Sequence, residues 1–163
     1  MEKVYGSPVR QDGLYKIGRN KWELIYGFGK DAPDDEYGWN WRQRFTRRPS
    51  PEEIREVIKQ TINRETDRRI LEDFVWRGMP VWLSSENQFN YKAAYDLAVQ
   101  TNGATLPVRF KFGTDASPVY YTFETLGDFT DFYTAAMLHI NTALTAGWSE
   151  KDTLASLPFP EIV

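Results

Sequence analysis

The stretch TDRRILEDFVWRGMPVWLSSENQFNY, residues 66–91, decides how the rest of the chain is organised. Apolar side chains occupy every second position on both sides of a turn, at Phe74, Trp76, Val81 and Leu83. Arg77-Gly78 between them favours a tight reversal, so the pattern predicts a β-hairpin. Ser85 followed by Gln88 predicts a capping box at the start of a helix. Because so short a hairpin is marginally stable alone, we expect it to pack on neighbouring helices.

A helix is predicted before this hairpin. Ser50 as N-cap, Pro51 at the first helical position and Glu53 form a capping box that predicts its N-terminus. Apolar side chains follow at helical spacing, at Ile54, Val57, Ile58 and Ile62. The polar residues 63–66 interrupt that pattern, so residues 67–73 are interpreted as a continuation of the helix or as a short second one.

The helix that begins at Ser85 is predicted to extend to about Asn102. Along one of its sides, residues recur every three or four positions, at Phe89, Ala93, Leu97 and Gln100. Gly103 then supplies a residue that readily adopts the left-handed conformation found after helix C-termini.

A second hairpin and a last helix complete the pattern. Residues 106–112 and 119–123 are predicted strands joined by a turn at 113–118. A helix of roughly 22 residues is predicted from near Leu126, and Gly147 is a position where it can end early. The order after residue 50 is therefore α-β-β-α-β-β-α, which predicts an α+β fold with antiparallel hairpins packed on helices.

The first 49 residues have a different character, rich in glycine and aromatic residues. They contain three predicted strands, at 14–17, 22–28 and 37–45. We interpret them as a small three-stranded antiparallel meander. The sequence thus predicts two domains, a β module at 1–49 that serves attachment or interaction and an α+β domain at 50–163. The apolar, proline-containing tail 157–163 is interpreted either as a docked strap or as an arm for a partner.

Composition excludes several classes of function. The chain of 163 residues contains no cysteine, which excludes disulfides, thiolate nucleophiles and zinc–thiolate sites. Its formal net charge is −3, so no global basic field attracts nucleic acid. No apolar run approaches 18 residues and the N-terminus lacks an apolar core, which predicts neither a transmembrane span nor a signal peptide.

Motifs for catalysis or for binding a metal or cofactor are not recognised. His139 is the only histidine and is interpreted as a surface or packing residue. The acidic residues of 31–36 lack the spacing of a calcium loop and are interpreted as a solvated loop. The four arginines between 42 and 48 resemble a phosphate-binding patch, but a solvated strand face explains them better. We therefore predict a non-enzymatic protein with no catalytic, cofactor-binding or metal-binding residues.

The aromatic residues of the third predicted strand leave two interpretations open. Alternation places Tyr37, Trp39 and Trp41 on one face and Arg42 and Arg44 on the other. The three rings are interpreted either as the core of the meander or as a platform on which sugars stack. The core is the favoured interpretation, since a small sheet has little else to bury.

The string NRETDRRILEDFVWRGMPVWLSSENQFNY, residues 63–91, resembles the start of a phage and prophage domain of unknown function. The resembling features are Thr66-Asp67, Ile70-Leu71, the arm Phe74/Trp76/Gly78, Val81-Trp82-Leu83-Ser84, and Glu86-Asn87-Gln88 with Asn90. The resemblance extends more loosely through Leu106-Pro107-Val108 and the final helix, covering about residues 52–155. The common form of that domain has glycine where this chain has Asp73.

Such domains occur on proteins encoded near tail and tail-fibre genes. The resemblance therefore implies a virion structural or assembly protein, located in the virion or in the host cytoplasm during assembly. Its expected partners are other phage virion or tail proteins, or further copies of this chain. The residues predicted to make these contacts are Tyr37, Trp39, Trp41, Trp76 and Trp82. For Trp76 and Trp82, a position in the core is the favoured alternative. Two alternatives are a module that binds a host glycan through the N-terminal aromatic face and a head-associated virion protein.

Overall fold

The computed structural model describes residues 1–154 and 161–162. It confirms the α+β class: an antiparallel sheet of N-terminal strands precedes the predicted α-β-β-α-β-β-α order. The chain divides into two compact units. The first consists of Met1–Asn63 and the C-terminal residues from Glu150, and the second of Arg64–Ser149. The boundary predicted at residue 50 followed composition, whereas these units follow the contacts of the folded chain.

The first unit is built on one sheet. Its strands are β1 Glu2–Ser7, β2 Gly13–Gly18, β3 Lys21–Gly29, β4 Gly38–Phe45 and, near the C-terminus, β9 Glu161–Ile162. Their order is β1-β4-β3-β2-β9, with β9 parallel to β2 and the other neighbours antiparallel. The meander β2-β3-β4 is the one predicted from sequence. Strand β1 could not be predicted from the sequence, because only Ser7 of this edge strand is buried and its residues show no clear apolar alternation.

Helix α1, Pro51–Glu72, begins at the predicted capping box. The Ser50 amide donates to Glu53 Oε2 at 2.8 Å and the Glu53 amide donates to Ser50 Oγ at 3.2 Å. The helix is continuous through the polar residues 63–66, so the second of the two sequence interpretations is wrong. In the first unit, its apolar stripe joins the buried face of the sheet in one core, made of Leu14, Leu24, Tyr26, Ile54, Ile58, Ile62 and Leu154.

The predicted strap or arm at 157–163 lies outside the described residues except for 161–162. Those two residues form β9, whose register with β2 sets Leu14 beside Glu161 and Tyr15 beside Ile162.

The second unit contains the predicted hairpin with its turn at Arg77-Gly78. Its strands are β5 Val75–Trp76 and β6 Met79–Pro80. Arg77 and Gly78 have φ values of +48° and +80°, the left-handed pair that a tight hairpin of this twist requires. The alternation is also confirmed, since Phe74, Val81 and Leu83 are buried.

Helix α2 extends over Ser85–Gln100. It begins one residue earlier than predicted, because a capping box with Ser85 as N-cap would place the first helical residue at 86. Ser84, not Ser85, is the N-cap: its Oγ accepts a hydrogen bond from the Asn87 amide at 3.2 Å. Gln88 instead donates its side-chain amide to the Leu83 carbonyl oxygen at 2.7 Å. At the other end, Gly103 adopts the predicted left-handed conformation, with φ +86°.

The remaining elements are β7 Val108–Gly113, β8 Pro118–Phe123 and α3 Leu126–Thr153. The β7-β8 hairpin is antiparallel, as predicted. Helix α3 has 28 residues rather than roughly 22, because Gly147 does not end it. Gly147 is buried inside the helix, and its missing side chain leaves room for Thr66 of α1. None of the helices in the described part of the chain is long and apolar enough to cross a membrane.

The core of the second unit is mainly aromatic. Phe132 lies near its centre, with its ring centroid 5.3 Å from that of Phe112 and 5.0 Å from that of Phe123. Other fully or largely buried members are Phe74, Val81, Leu83, Tyr91, Ala98, Phe129 and Ala136. Offset and edge-to-face aromatic pairs of this kind each add about 0.5–1.5 kcal/mol to the gain from burial.

Because of Tyr91, the stability of this core is expected to depend on pH in the alkaline range. Burial raises the pKa of its phenol to about 12. Because the folded pKa lies above the ordinary value of 10, the stabilising contribution is complete below pH 10 and is lost as the pH rises towards 12. We expect the unfolding free energy of the wild type to fall, relative to that of Tyr91→Phe, by about 1 kcal/mol between pH 9 and pH 11. Urea denaturation at both pH values measures this, and parallel curves for the two proteins would contradict it.

Candidate protein-binding surfaces

The three N-terminal aromatic residues do not form one flat surface. Tyr37 precedes β4 and is exposed, whereas Trp39 and Trp41 are half-buried within the strand. The two indole centroids are 5.5 Å apart with the rings at 67°, an edge-to-face arrangement. Lys3 Nζ lies 4.0 Å from the Trp39 ring centroid, a cation–π contact that covers part of the ring. Trp41 packs against the core of the first unit.

The opposite face of β4 carries Arg42 and Arg44, as alternation predicted. Both approach the buried carboxylate of Glu23 on β3, with Arg44 Nε donating to Oε1 at 2.9 Å and Arg42 Nη1 at 3.5 Å from Oε2. The Arg42 Nε donates to Asn40 Oδ1 at 2.9 Å. A cavity of about 340 Å³ lies beside this group. The Glu23 carboxylate therefore offsets one of the two positive charges, which argues against a phosphate-binding patch.

The two tryptophans of the first hairpin have different surroundings. Trp76 is half-buried, and its ring meets that of Phe132 edge-on at a centroid distance of 5.5 Å. Trp82 is on the opposite side of the extended chain from Val81 and Leu83, and 49% of it is exposed. The structure therefore places Trp76 mainly in the core and leaves Trp82 at the surface.

Trp82 borders a groove within the second unit that sequence reasoning missed. Its volume is about 610 Å³. The lining residues come from the end of α1, the exit of the first hairpin, the start of α2 and the β7 end of the second hairpin: Leu71, Glu72, Pro80, Val81, Trp82, Asn87, Lys111, Phe112, Gly113, Thr114 and Asp115. Because these segments are distant in sequence, no local sequence motif predicts the groove.

Helix α2 has a second exposed apolar surface. Its buried side carries Tyr91 and Ala98, and the side on which Phe89, Ala93 and Leu97 align is exposed. Phe89 is 70% exposed and Leu97 is 50% exposed. Two apolar patterns at helical spacing coexist in this helix, and the aromatic core selects the one that contains Tyr91. We call the exposed set Phe89, Ala93 and Leu97 the α2 outer stripe.

A polar set at the hairpin turn was also missed by sequence reasoning. Tyr121 Oη accepts a hydrogen bond from Arg77 Nη1 and donates one to Asp128 Oδ2 at 2.7 Å. The second guanidinium nitrogen of Arg77 lies 2.7 Å from Asp128 Oδ1. Burial, together with the hydrogen bond to Asp128, raises the pKa of the Tyr121 phenol. This set fixes the turn of the first hairpin to β8 and to the start of α3.

These features define a class: an α+β protein that leaves aromatic and apolar side chains exposed beside a well-packed core. The more specific identification comes from comparison with known families. Residues 53–162 match the family described as "Domain of unknown function (DUF4376)", and the chain belongs to that family.

The match covers most of the range that the sequence analysis assigned to a domain of unknown function. No curated protein matches the chain. No solved structure matches it either.

Proposed function

We propose that the protein is a non-enzymatic bacteriophage structural or assembly protein that is associated with the tail or tail fibres and binds other virion proteins. It would act in the virion, or in the host cytoplasm during assembly. The phage context is supported by the resemblance of residues 63–91 to a domain found on tail-associated proteins. The binding role is supported by the exposed apolar side chains of the second unit.

The α2 outer stripe is the observation that carries the proposal. Scattered exposed apolar residues are ordinary on protein surfaces, but aligned ones form a contact patch. Phe89 and Leu97 are two helical turns apart on one side of α2, with the small Ala93 between them. A partner helix or sheet can therefore approach closely at the centre and bury both large side chains.

Burial of the α2 outer stripe has a favourable free energy of useful size. A fully buried phenylalanine or leucine side chain contributes about 1.5–3 kcal/mol relative to the exposed state. The neighbouring pair Lys92 and Asp96, an ion pair on the helix surface, adds polar groups at the rim of this patch. An apolar centre with a polar rim is the usual anatomy of a protein interface.

The test combines particle analysis with binding. Quantitative mass spectrometry of purified particles of the encoding phage should detect the chain at a fixed copy number. Size-exclusion chromatography with light scattering should show a larger mass when the purified full chain is mixed with one of the tail proteins. We expect Phe89→Ser to weaken that complex at least about tenfold, since central aromatic residues dominate interface energies.

Leu138→Ser is the matched control, because Leu138 is 66% exposed on α3, close to the value for Phe89. It should leave the affinity unchanged. A chain that is absent from particles and whose mass no tail protein alters would refute the proposal. Loss of binding in Leu138→Ser but not in Phe89→Ser would refute the role given to the α2 outer stripe.

The head-associated variant is distinguished by the position of a gold-labelled chain on the particle. The glycan-binding alternative draws less support from the structure, because Trp39 and Trp41 meet at 67° and offer no flat stacking surface. Quenching of tryptophan fluorescence by host glycans, lost in Trp39→Ala, would favour that alternative.

A further inference from the structure

The groove beside Trp82 lies along an edge of the second hairpin. Lys111 and Phe112 both line it, although one is exposed and the other buried, so they point to opposite faces of β7. A cavity that contacts both faces must lie at the edge of the strand. The strand β8 occupies the other edge of β7 and contributes no lining residue. The groove is therefore at the free edge of β7.

The backbone at this edge is directed towards the groove. Thr114 and Ser117 exchange two hydrogen bonds, from Thr114 N to Ser117 O at 3.2 Å and from Ser117 N to Thr114 O at 3.1 Å, and so form a hydrogen-bonded pair. Hydrogen-bonded and non-hydrogen-bonded pairs alternate along an antiparallel ladder. Gly113 opposite Pro118 and Lys111 opposite Tyr120 are therefore non-hydrogen-bonded pairs.

It follows that the amide and carbonyl groups of Lys111 and Gly113 point away from β8. Pro118 agrees with this assignment, because it has no amide hydrogen and stands where the ladder needs none. In the described part of the chain, β7 pairs with no strand other than β8. An edge of this kind is a template for an additional strand.

The far wall of the groove limits what can be added. It is formed by Pro80, Val81 and Trp82, which belong to the exit of the first hairpin. The amides of Val81 and Leu83 are already hydrogen-bonded, to the carbonyl oxygens of Phe74 and Leu71 at 2.9 and 3.2 Å, and so cannot donate to an added strand. The Trp82 indole remains exposed as an apolar surface beside the edge.

We propose that this groove binds an extended polypeptide segment of a partner protein, which pairs with the free edge of β7 and sets an apolar side chain against Trp82. The inference rests on the proposed function in one respect, that the partner is a protein. It deepens that function by giving the partner's conformation. Main-chain hydrogen bonds would provide affinity, and side chains at alternate positions would provide selectivity. Lys111 and Asp115, 3.6 Å apart at their charged atoms, would favour polar residues near the turn.

The test begins with a library of random dodecapeptides selected on the immobilised full chain. A selected peptide is then synthesised with single N-methyl groups along its backbone. In strand addition, only every second peptide amide faces β7. Methylation at positions of one parity should therefore weaken binding at least about tenfold, and methylation at the other parity should have little effect.

Two readouts on the protein complete the test. Binding should slow amide hydrogen exchange at Lys111, and Trp82→Ala should weaken binding at least about tenfold. Trp148→Ala is the matched control, because Trp148 is 55% exposed in the same unit but lies outside the groove. It should bind the peptide like the wild type, and both variants should retain the wild-type melting temperature.

The proposal would be overturned if no peptide is selected, if the selected peptides are insensitive to the parity of methylation, or if exchange at Lys111 is unchanged. Glycan binding at Trp82 without peptide binding would overturn it as well. The two proposals can fail separately. A chain that binds peptides in this way but never enters particles refutes the virion role alone. If the chain enters particles but the selected peptides do not pair with β7, only the proposal of strand addition at this edge is refuted.

Discussion

Phe132→Ala should destabilise the second unit by about 3–5 kcal/mol, the largest effect expected of any single truncation here. Phe132 is completely buried, and its ring packs against those of Trp76, Tyr91, Phe112 and Phe123. Removing the ring forfeits its own burial and leaves a cavity that rigid aromatic neighbours cannot fill. Urea denaturation followed by far-ultraviolet circular dichroism measures the change in unfolding free energy.

Leu138→Ala is the matched control, because it truncates an exposed side chain on the same helix. Its effect should stay within about 0.5 kcal/mol. An effect of Phe132→Ala below about 1 kcal/mol would show that the aromatic cluster repacks, contrary to the close contacts of this core. The slope of the unfolding curve against urea should be the same for both variants if the unfolded states are alike.

Gly38→Ala is the second substitution for which we expect a large loss of stability. A side chain at this first residue of β4 would overlap the carbonyl oxygen of Gly29 and come within 2.7 Å of the Phe28 ring. The clash with Gly29 decides the outcome, because the backbone of β3 cannot move cheaply. Overpacking of this kind costs about 1–3 kcal/mol, and more where backbone must shift. Thermal denaturation of the purified chain should show a lowered melting temperature.

Gly18→Ala isolates the steric cause, because Gly18 is also in this sheet and its nearest neighbour, Lys21 Cβ, would be 3.7 Å from the added atom. Neither glycine has a φ in the left-handed region, so the two substitutions differ mainly in the space available. The Gly18 variant should remain within about 1 kcal/mol of the wild type. Equal melting temperatures for the two variants would contradict the steric explanation.

The elements whose signals are local could be predicted from the sequence. The Arg77-Gly78 turn, the Ser50/Glu53 capping box and the left-handed Gly103 each depend on a few adjacent residues, and all three are confirmed. Errors occurred where two local signals compete. Adjacent serines at 84 and 85 both suit an N-cap, and only the geometry of the first turn of α2 selects Ser84.

The candidate surfaces show the same division. Trp82 is among the contact residues predicted from the sequence, although the hairpin pattern favours a core position for it. Only the structure shows that 49% of Trp82 is exposed, on the side of the chain opposite the buried Val81 and Leu83. The groove could not be predicted, since the residues that form it lie between 71 and 115 and meet only in the folded unit. The continuation of α3 through Gly147 could not be predicted either, because its cause is a close approach to Thr66 that no helical signal contains.

By itself, the sequence determined the α+β class, the succession of hairpins and helices, and the chemistry of the turns and caps. Those properties depend on alternation, helical spacing and backbone preferences that neighbouring residues already impose. The tertiary structure alone decided which apolar face of α2 is buried and which edge of β7 stays free. Burial is a competition among all faces for one core, and its outcome depends on contacts between residues that are far apart in the chain.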